Sequence, residues 1–227
     1  MMTLIIIIIL IVSLIFGPQW WATKTFKRHS VNQSHISGTG GELARHLLDR
    51  FDMKHVQVEM IEEGDHYDPE NKVVRLSEDN FNGNSLTAVA VATHEVGHAI
   101  QDHRNEPQLA LRTKLVKIAE RSSRFGSTMM IVMPIALILT RSPVASFFFF
   151  LVGLTSIAGA AIVHLVTLPV ELDASFGKAL PILKEGYVRE EDITAIESIL
   201  KAAALTYVAA SLMSILNVWR WVAFLRR

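Results

Sequence analysis

The stretch Thr93 to Asp102 reads T-H-E-V-G-H-A-I-Q-D and contains H-E-x-x-H, with His94 and His98 four residues apart and Glu95 beside the first. On a helix, positions four apart stack on one face, so both imidazoles reach a single metal ion. Two neutral imidazoles suit Zn²⁺, whose catalytic sites take three protein ligands and keep one position for water. Glu95 stands beside that position and can take the proton of the water as a general base. The chemistry expected of this pattern is hydrolysis of a peptide bond with one zinc ion per chain.

A third ligand has to come from elsewhere. His103 lacks the glycine-spaced pattern that a third histidine would need. Downstream, Pro169-Val170-Glu171-Leu172-Asp173-Ala174-Ser175 follows a long apolar run. Glu171 is the first acid after that run, at the edge where a charge needs a partner, and two histidines with a glutamate form a known catalytic zinc set. Asp173 is the rival ligand, or an acid that orients a ligating histidine through its other ring nitrogen. His164 lies seven residues before Glu171, inside the apolar run and on roughly the same helix face. It reads as a contact to the substrate oxyanion or as a buried hydrogen bond between spans. His66 and Tyr67 flank a turn, and each is a candidate to polarise a scissile carbonyl or simply a structural residue there. His29, His35, His46 and His55 form no cluster in the sequence.

The elements around the motif must hold it as a helix. Asn82-Gly83-Asn84-Ser85 is a turn cluster that ends in a good N-cap, and Leu86 to Ile100 contains no proline. Ala88-Val89-Ala90-Val91-Ala92 is apolar on every side, which predicts a buried helix over 85–103. Upstream, Glu42 to Phe51 carries one apolar helix face through Leu43, Leu47 and Leu48. His55 to Ile61 alternates as a strand, Asp68 to Asn71 is a turn, and Lys72 to Leu76 is a second strand candidate. These strands read as a hairpin, or as a short edge that pairs with an extended peptide.

The chain has 227 residues, half of them hydrophobic, a formal net charge of zero and no cysteine. Disulfides, thiolate ligands and cysteine nucleophiles are therefore excluded. Balanced charge without a long basic run gives no reason to expect a nucleic acid partner. The apolar residues gather in runs that suit a lipid bilayer. Residues 1–21 read as a retained anchor rather than a signal peptide, because no basic residue precedes the isoleucine run and the cleavage site is poor. Arg104 to Arg124 resembles an amphipathic helix at the bilayer surface. Residues 125–168 read as a transmembrane hairpin turning at Arg141-Ser142-Pro143, 169–201 as a polar segment, and 202–227 as a last span. Lys24, Lys27 and Arg28 after the first span, and Lys178, Lys184 and Arg189 after the third, place both polar segments in the cytoplasm. Arg226 and Arg227 run against that orientation.

V-A-T-H-E-V-G-H-A-I-Q-D, the upstream H-Y-D-P and V-V-R-L-S, and the later L-P-V-E-L-D-A-S together resemble the YugP-like membrane neutral zinc metallopeptidases, in order from about Ser37 to Ser175. A more distant likeness is to the gluzincin membrane proteases of the CAAX-prenyl and heat-shock groups, in which H-E-x-x-H is followed by E-x-x-A-D. That likeness puts Glu171 on the ligand glutamate and Ala174 on the alanine. Ser175 stands where those families carry an aspartate that supports a ligand.

The expected fold is mainly α: an integral membrane protein with about four transmembrane helices and a small α+β, zincin-like domain over 22–124 that carries the H-E-x-x-H helix. The expected activity is that of a zinc endopeptidase in the bacterial plasma membrane, its site on the cytoplasmic side. Its substrates would be peptides or membrane proteins presented at the bilayer. The alternatives are a membrane scaffold that holds zinc for structure and a zinc hydrolase of a non-peptide amide.

Overall fold

Ser85 starts the central helix. Its side-chain oxygen accepts the Ala88 N–H at 3.1 Å, and α4 then runs unbroken from Leu86 to His103. The computed structural model of the chain describes residues 2–62 and 64–206. In chain order these give α1 (Met2–Arg28), α2 (Gly40–Arg50), β1 (Gln57–Ile61), β2 (His66–Asp68), β3 (Val73–Ser77), α3 (Glu78–Asn82) and α4. Two long helices follow, α5 (Pro107–Thr140) and α6 (Pro143–Val166). Next comes a helical stretch made of α7 (Leu168–Leu172), a π-helical turn (Asp173–Ala179) and α8 (Leu180–Lys184). A final described helix, α9, covers 193–206.

The described residues form two compact units. One holds Trp20–Ala110 and Pro169–Thr206, and the other holds those up to Gln19 together with Leu111–Leu168. In the first, α4 is buried along nearly its whole length, as its all-round apolar sequence dictates. Leu47 and Leu48 of α2, Val74 and Leu76 of β3, Leu183 of α8, and Ile196 and Leu200 of α9 pack in one core with Val89, Val96 and Ile100 of α4. Thr39 caps α2 through a reciprocal box with Glu42. At the start of α4, Thr87 donates its hydroxyl to the Phe26 carbonyl at 2.8 Å and its N–H to the His29 carbonyl at 3.2 Å. The carbonyls at the end of α1 are thereby satisfied by the helix that carries the motif.

The sheet departs from the expected hairpin of two strands. Its order is β1-β3-β2, with β1 parallel to β3 and β2 antiparallel to it. Val73–Ser77, which directly precedes the metal helix in the strand reading, is therefore the central strand, and both its edges are occupied. The open edges belong to β1 and β2. The extra strand, His66–Asp68, is three residues long and lies within what reads as turn sequence.

In the second unit, the amphipathic segment and the apolar run after it form one helix. Nothing between Arg121 and Gly126 breaks the backbone ladder, so α5 continues through the change in hydropathy at Phe125. Among the described residues, α5 is the one helix found long and apolar enough to cross a membrane; Phe147–Ser156 in α6 is a shorter apolar stretch. The last expected span, over 202–227, lies outside the described residues from 207 onward.

Candidate metal centre

His94 and His98 lie one turn apart on α4, with ring centroids 4.8 Å apart and planes at 77°. Glu171, near the end of α7, reaches them from the facing helical stretch. Its Oε2 lies 3.5 Å from His94 Nε2 and 3.2 Å from His98 Nε2. One donor atom from each of the three residues falls within 4.8 Å of the others. All three side chains are buried, Glu171 completely.

The close approach of the two helical stretches depends on Gly97. A Cβ built there would stand 2.7 Å from the Ala174 carbonyl oxygen. Facing it, the chain widens into the π-helical turn, where the Leu180 N–H donates to the Ser175 carbonyl five residues back. Ala174 and Ser175 are both fully buried against α4 and α9. Widened turns of this kind recur at functional sites.

Ser175 places a proton on Nδ1 of His94. Its hydroxyl donates to the Leu200 carbonyl at 3.0 Å and lies 2.9 Å from His94 Nδ1. A serine has one proton to give, so the hydroxyl oxygen accepts from Nδ1–H. The Nε2 lone pair of neutral His94 is then aimed towards Glu171. Two imidazole nitrogens and a carboxylate oxygen, buried and converging, fit a zinc ion of the two-histidine, one-glutamate type.

Glu95, next to His94 in the chain, is buried, and its Oε2 accepts the main-chain N–H of Tyr67 at 2.8 Å. The Tyr67 hydroxyl turns away to Asp102, to which it donates at 2.5 Å. Burial and this hydrogen bond both push the phenol pKa up. His66 faces outward: its Nδ1 lies 2.8 Å from the Gly64 carbonyl, and its Nε2 lies 3.4 Å from the Arg75 guanidinium. Asp173 accepts from Gln101 Nε2 at 2.8 Å and pairs with the buried Lys178. Burial alone would raise its pKa, but the hydrogen bonds from Lys178 and Gln101 and the Lys178 charge hold it below the usual carboxylate value. The side chain of His164, on α6, lies outside the described residues.

Sequence reasoning passes over Gln101 and Gly97, and reads Lys178 only as a charge that sets topology. The signal for Gln101 is its position three residues after His98, on one face of a helix with no exposed side.

No solved structure matches the chain. A protein of Bacillus subtilis (strain 168), "Putative membrane protease YugP", is 35% identical over 223 residues, which cover 97% of this chain and 96% of that protein. The family model described as "Putative neutral zinc metallopeptidase" matches residues 3–226, so that the buried histidines and glutamate lie inside a match of nearly full length. The chain belongs to that family of neutral zinc metallopeptidases.

Proposed function

We propose that the protein is a membrane-embedded, zinc-dependent endopeptidase that cleaves peptide bonds near the cytoplasmic face of the bilayer. The observation that carries this reading is the convergence of His94, His98 and Glu171, with the carboxylate of the adjoining residue Glu95 held by the Tyr67 N–H. A zinc ion held by those three side chains would supply Lewis acidity towards a peptide carbonyl and acidity to a water molecule. Glu95 takes the water proton as the attack begins and passes it to the leaving amine as the C–N bond breaks. The Tyr67 N–H keeps one carboxylate oxygen in place. A site that held zinc only for structure would need no general base in Glu95.

Three observations support the membrane placement. The relative from Bacillus is called a membrane protease. The apolar half of α5, Phe125 to Thr140, extends about 24 Å at the helical rise, and residues before it lengthen the helix beyond a hydrocarbon core of about 30 Å. Large apolar side chains also stand in the open on both long helices: Ile138 is 75% exposed, Leu139 78% and Val144 79%. Faces of that kind suit lipid.

The polar segments that follow the first and third expected spans fold into one unit, as segments on the same membrane face can. Four spans with both termini outside satisfy that parity, and Lys24, Lys27 and Arg28 favour the cytoplasm for the shared face. A site at that face would meet membrane proteins, or peptides released from them.

The test is the Glu95→Gln variant, purified in detergent, with cleavage of casein and zinc content measured together. Zinc retained with hydrolysis lost by at least about 100-fold is the expected result. Normal turnover would remove Glu95 as the base.

A further inference from the structure

We infer that Gln101 is the positioning residue of His98: it decides which ring nitrogen carries the proton, and hence which one is open to a metal. The inference rests on the reading of His94, His98 and Glu171 as a metal site.

Gln101 is 1% exposed and sits three residues after His98 on α4. Its amide nitrogen faces two acceptors, the Val170 carbonyl at 3.0 Å and Asp173 Oδ2 at 2.8 Å. Lys178 pairs with Asp173 and reaches Glu106 at 3.1 Å, which keeps the aspartate an acceptor. The orientation of the amide is therefore fixed, with NH₂ towards 170 and 173 and Oε1 towards His98 Nδ1 at 2.9 Å. An amide oxygen only accepts, so the proton of neutral His98 resides on Nδ1. Nε2 then presents a lone pair to Glu171, 3.2 Å away.

The other tautomer shows why this matters. With the proton on Nε2, His98 would donate to Glu171, and the two ligands would satisfy each other. A metal would then have to displace that hydrogen bond. Gln101 removes this competitor by giving the proton a partner on the opposite side of the ring. Glutamate could not do the same work unaided, because its carboxylate would face the Val170 carbonyl and Asp173 with no proton to offer. Gln101 links Asp173 to His98 by hydrogen bonds, and the ligand histidines rest on two neutral acceptors, Ser175 and Gln101.

The experiment uses the full-length protein with ¹⁵N-labelled histidine, stripped of zinc in detergent micelles, and reads the ring-nitrogen shifts of His98. Zinc affinity is titrated in parallel. The unaltered protein should carry the proton on Nδ1. Gln101→Leu should move it to Nε2 and weaken zinc binding by about 10–100-fold. A proton on Nε2 in the unaltered protein would overturn the inference, even if Gln101→Leu does not fold. So would an unchanged tautomer with unchanged zinc affinity in a folded Gln101→Leu. If the unaltered protein takes up no zinc, the metal-site reading fails, and the tautomer shift still decides the role of Gln101.

Discussion

The main-chain N–H of Tyr67 donates to Glu95 Oε2 at 2.8 Å, so the short strand β2 holds the carboxylate assigned as base. The same residue reaches two turns along α4, where its hydroxyl donates to Asp102. Glu95 and Asp102 are seven residues apart and share a helix face, and Lys72 pairs with Asp102 at 2.5 Å from the start of β3. Strand and helix are thus pinned at two points by one residue.

Removing the hydroxyl should break the second point and, through it, slacken the first. Tyr67→Phe leaves Asp102 paired with Lys72 and keeps the ring in the core. Its expected cost is about 1 kcal/mol of stability. Because the main-chain bond to Glu95 loses its anchor, kcat should fall several-fold with KM little changed. Thermal unfolding and steady-state kinetics on one peptide check both parts; a rise in KM at constant kcat would mean that Tyr67 acts on substrate binding instead.

Gly97→Ala places a methyl group against the Ala174 backbone, which can yield only by shifting the turn that presents Glu171 and Ser175. A loss of about 1–3 kcal/mol, the usual range for overpacking, should be accompanied by weaker zinc binding. Gly17→Ala is the control, since a Cβ there meets nothing within 4 Å. Equal zinc affinity in the two variants would show that the close approach at Gly97 does not set the site.

Asp68 closes the turn between β2 and β3. It accepts from the Asn71 side chain at 2.7 Å, from the N–H groups of Glu70 and Asn71, and from Arg75 at 2.8 Å. Burial raises its pKa, but these bonds outweigh burial and hold it well below the ordinary value. A carboxyl depressed in the folded state adds stability that is complete above its unfolded pKa of about 4 and is lost as the pH falls towards the folded one. The unfolding temperature of the unaltered protein should therefore drop more steeply below about pH 4 than that of Asp68→Asn. Parallel curves would mean that the turn adds nothing through this group.

The topology has its own test, because the chain contains no cysteine to interfere. Cysteines introduced at Ser37 and at Ser142, labelled in intact cells with an impermeant maleimide, should report opposite faces of the membrane. Labelling of both from the same side would break the four-span arrangement.

Much of the site is legible in the sequence because its signals are local. Ser85 reads as an N-cap, the H-E-x-x-H spacing defines a helix face, and Glu171 stands out as an acid at the end of an apolar run. Parallel pairing of β1 with β3 has no local signal, and β2 is hidden because its three residues sit between Gly64 and Pro69. The single helix α5 reads as two segments because hydropathy changes at Phe125 while helix propensity does not. Gln101 is legible only in part: its spacing from His98 is local, but its amide is oriented by Val170 and Asp173, 69 and 72 residues away.

Zinc content of the detergent-purified protein, compared with Glu171→Ala and Asp173→Ala, reaches the central claim most directly. One zinc per chain is expected in the unaltered protein, lost in Glu171→Ala together with casein cleavage and only weakened in Asp173→Ala. Zinc retained by Glu171→Ala would contradict the proposed centre, and its loss in Asp173→Ala alone would move the third ligand to Asp173.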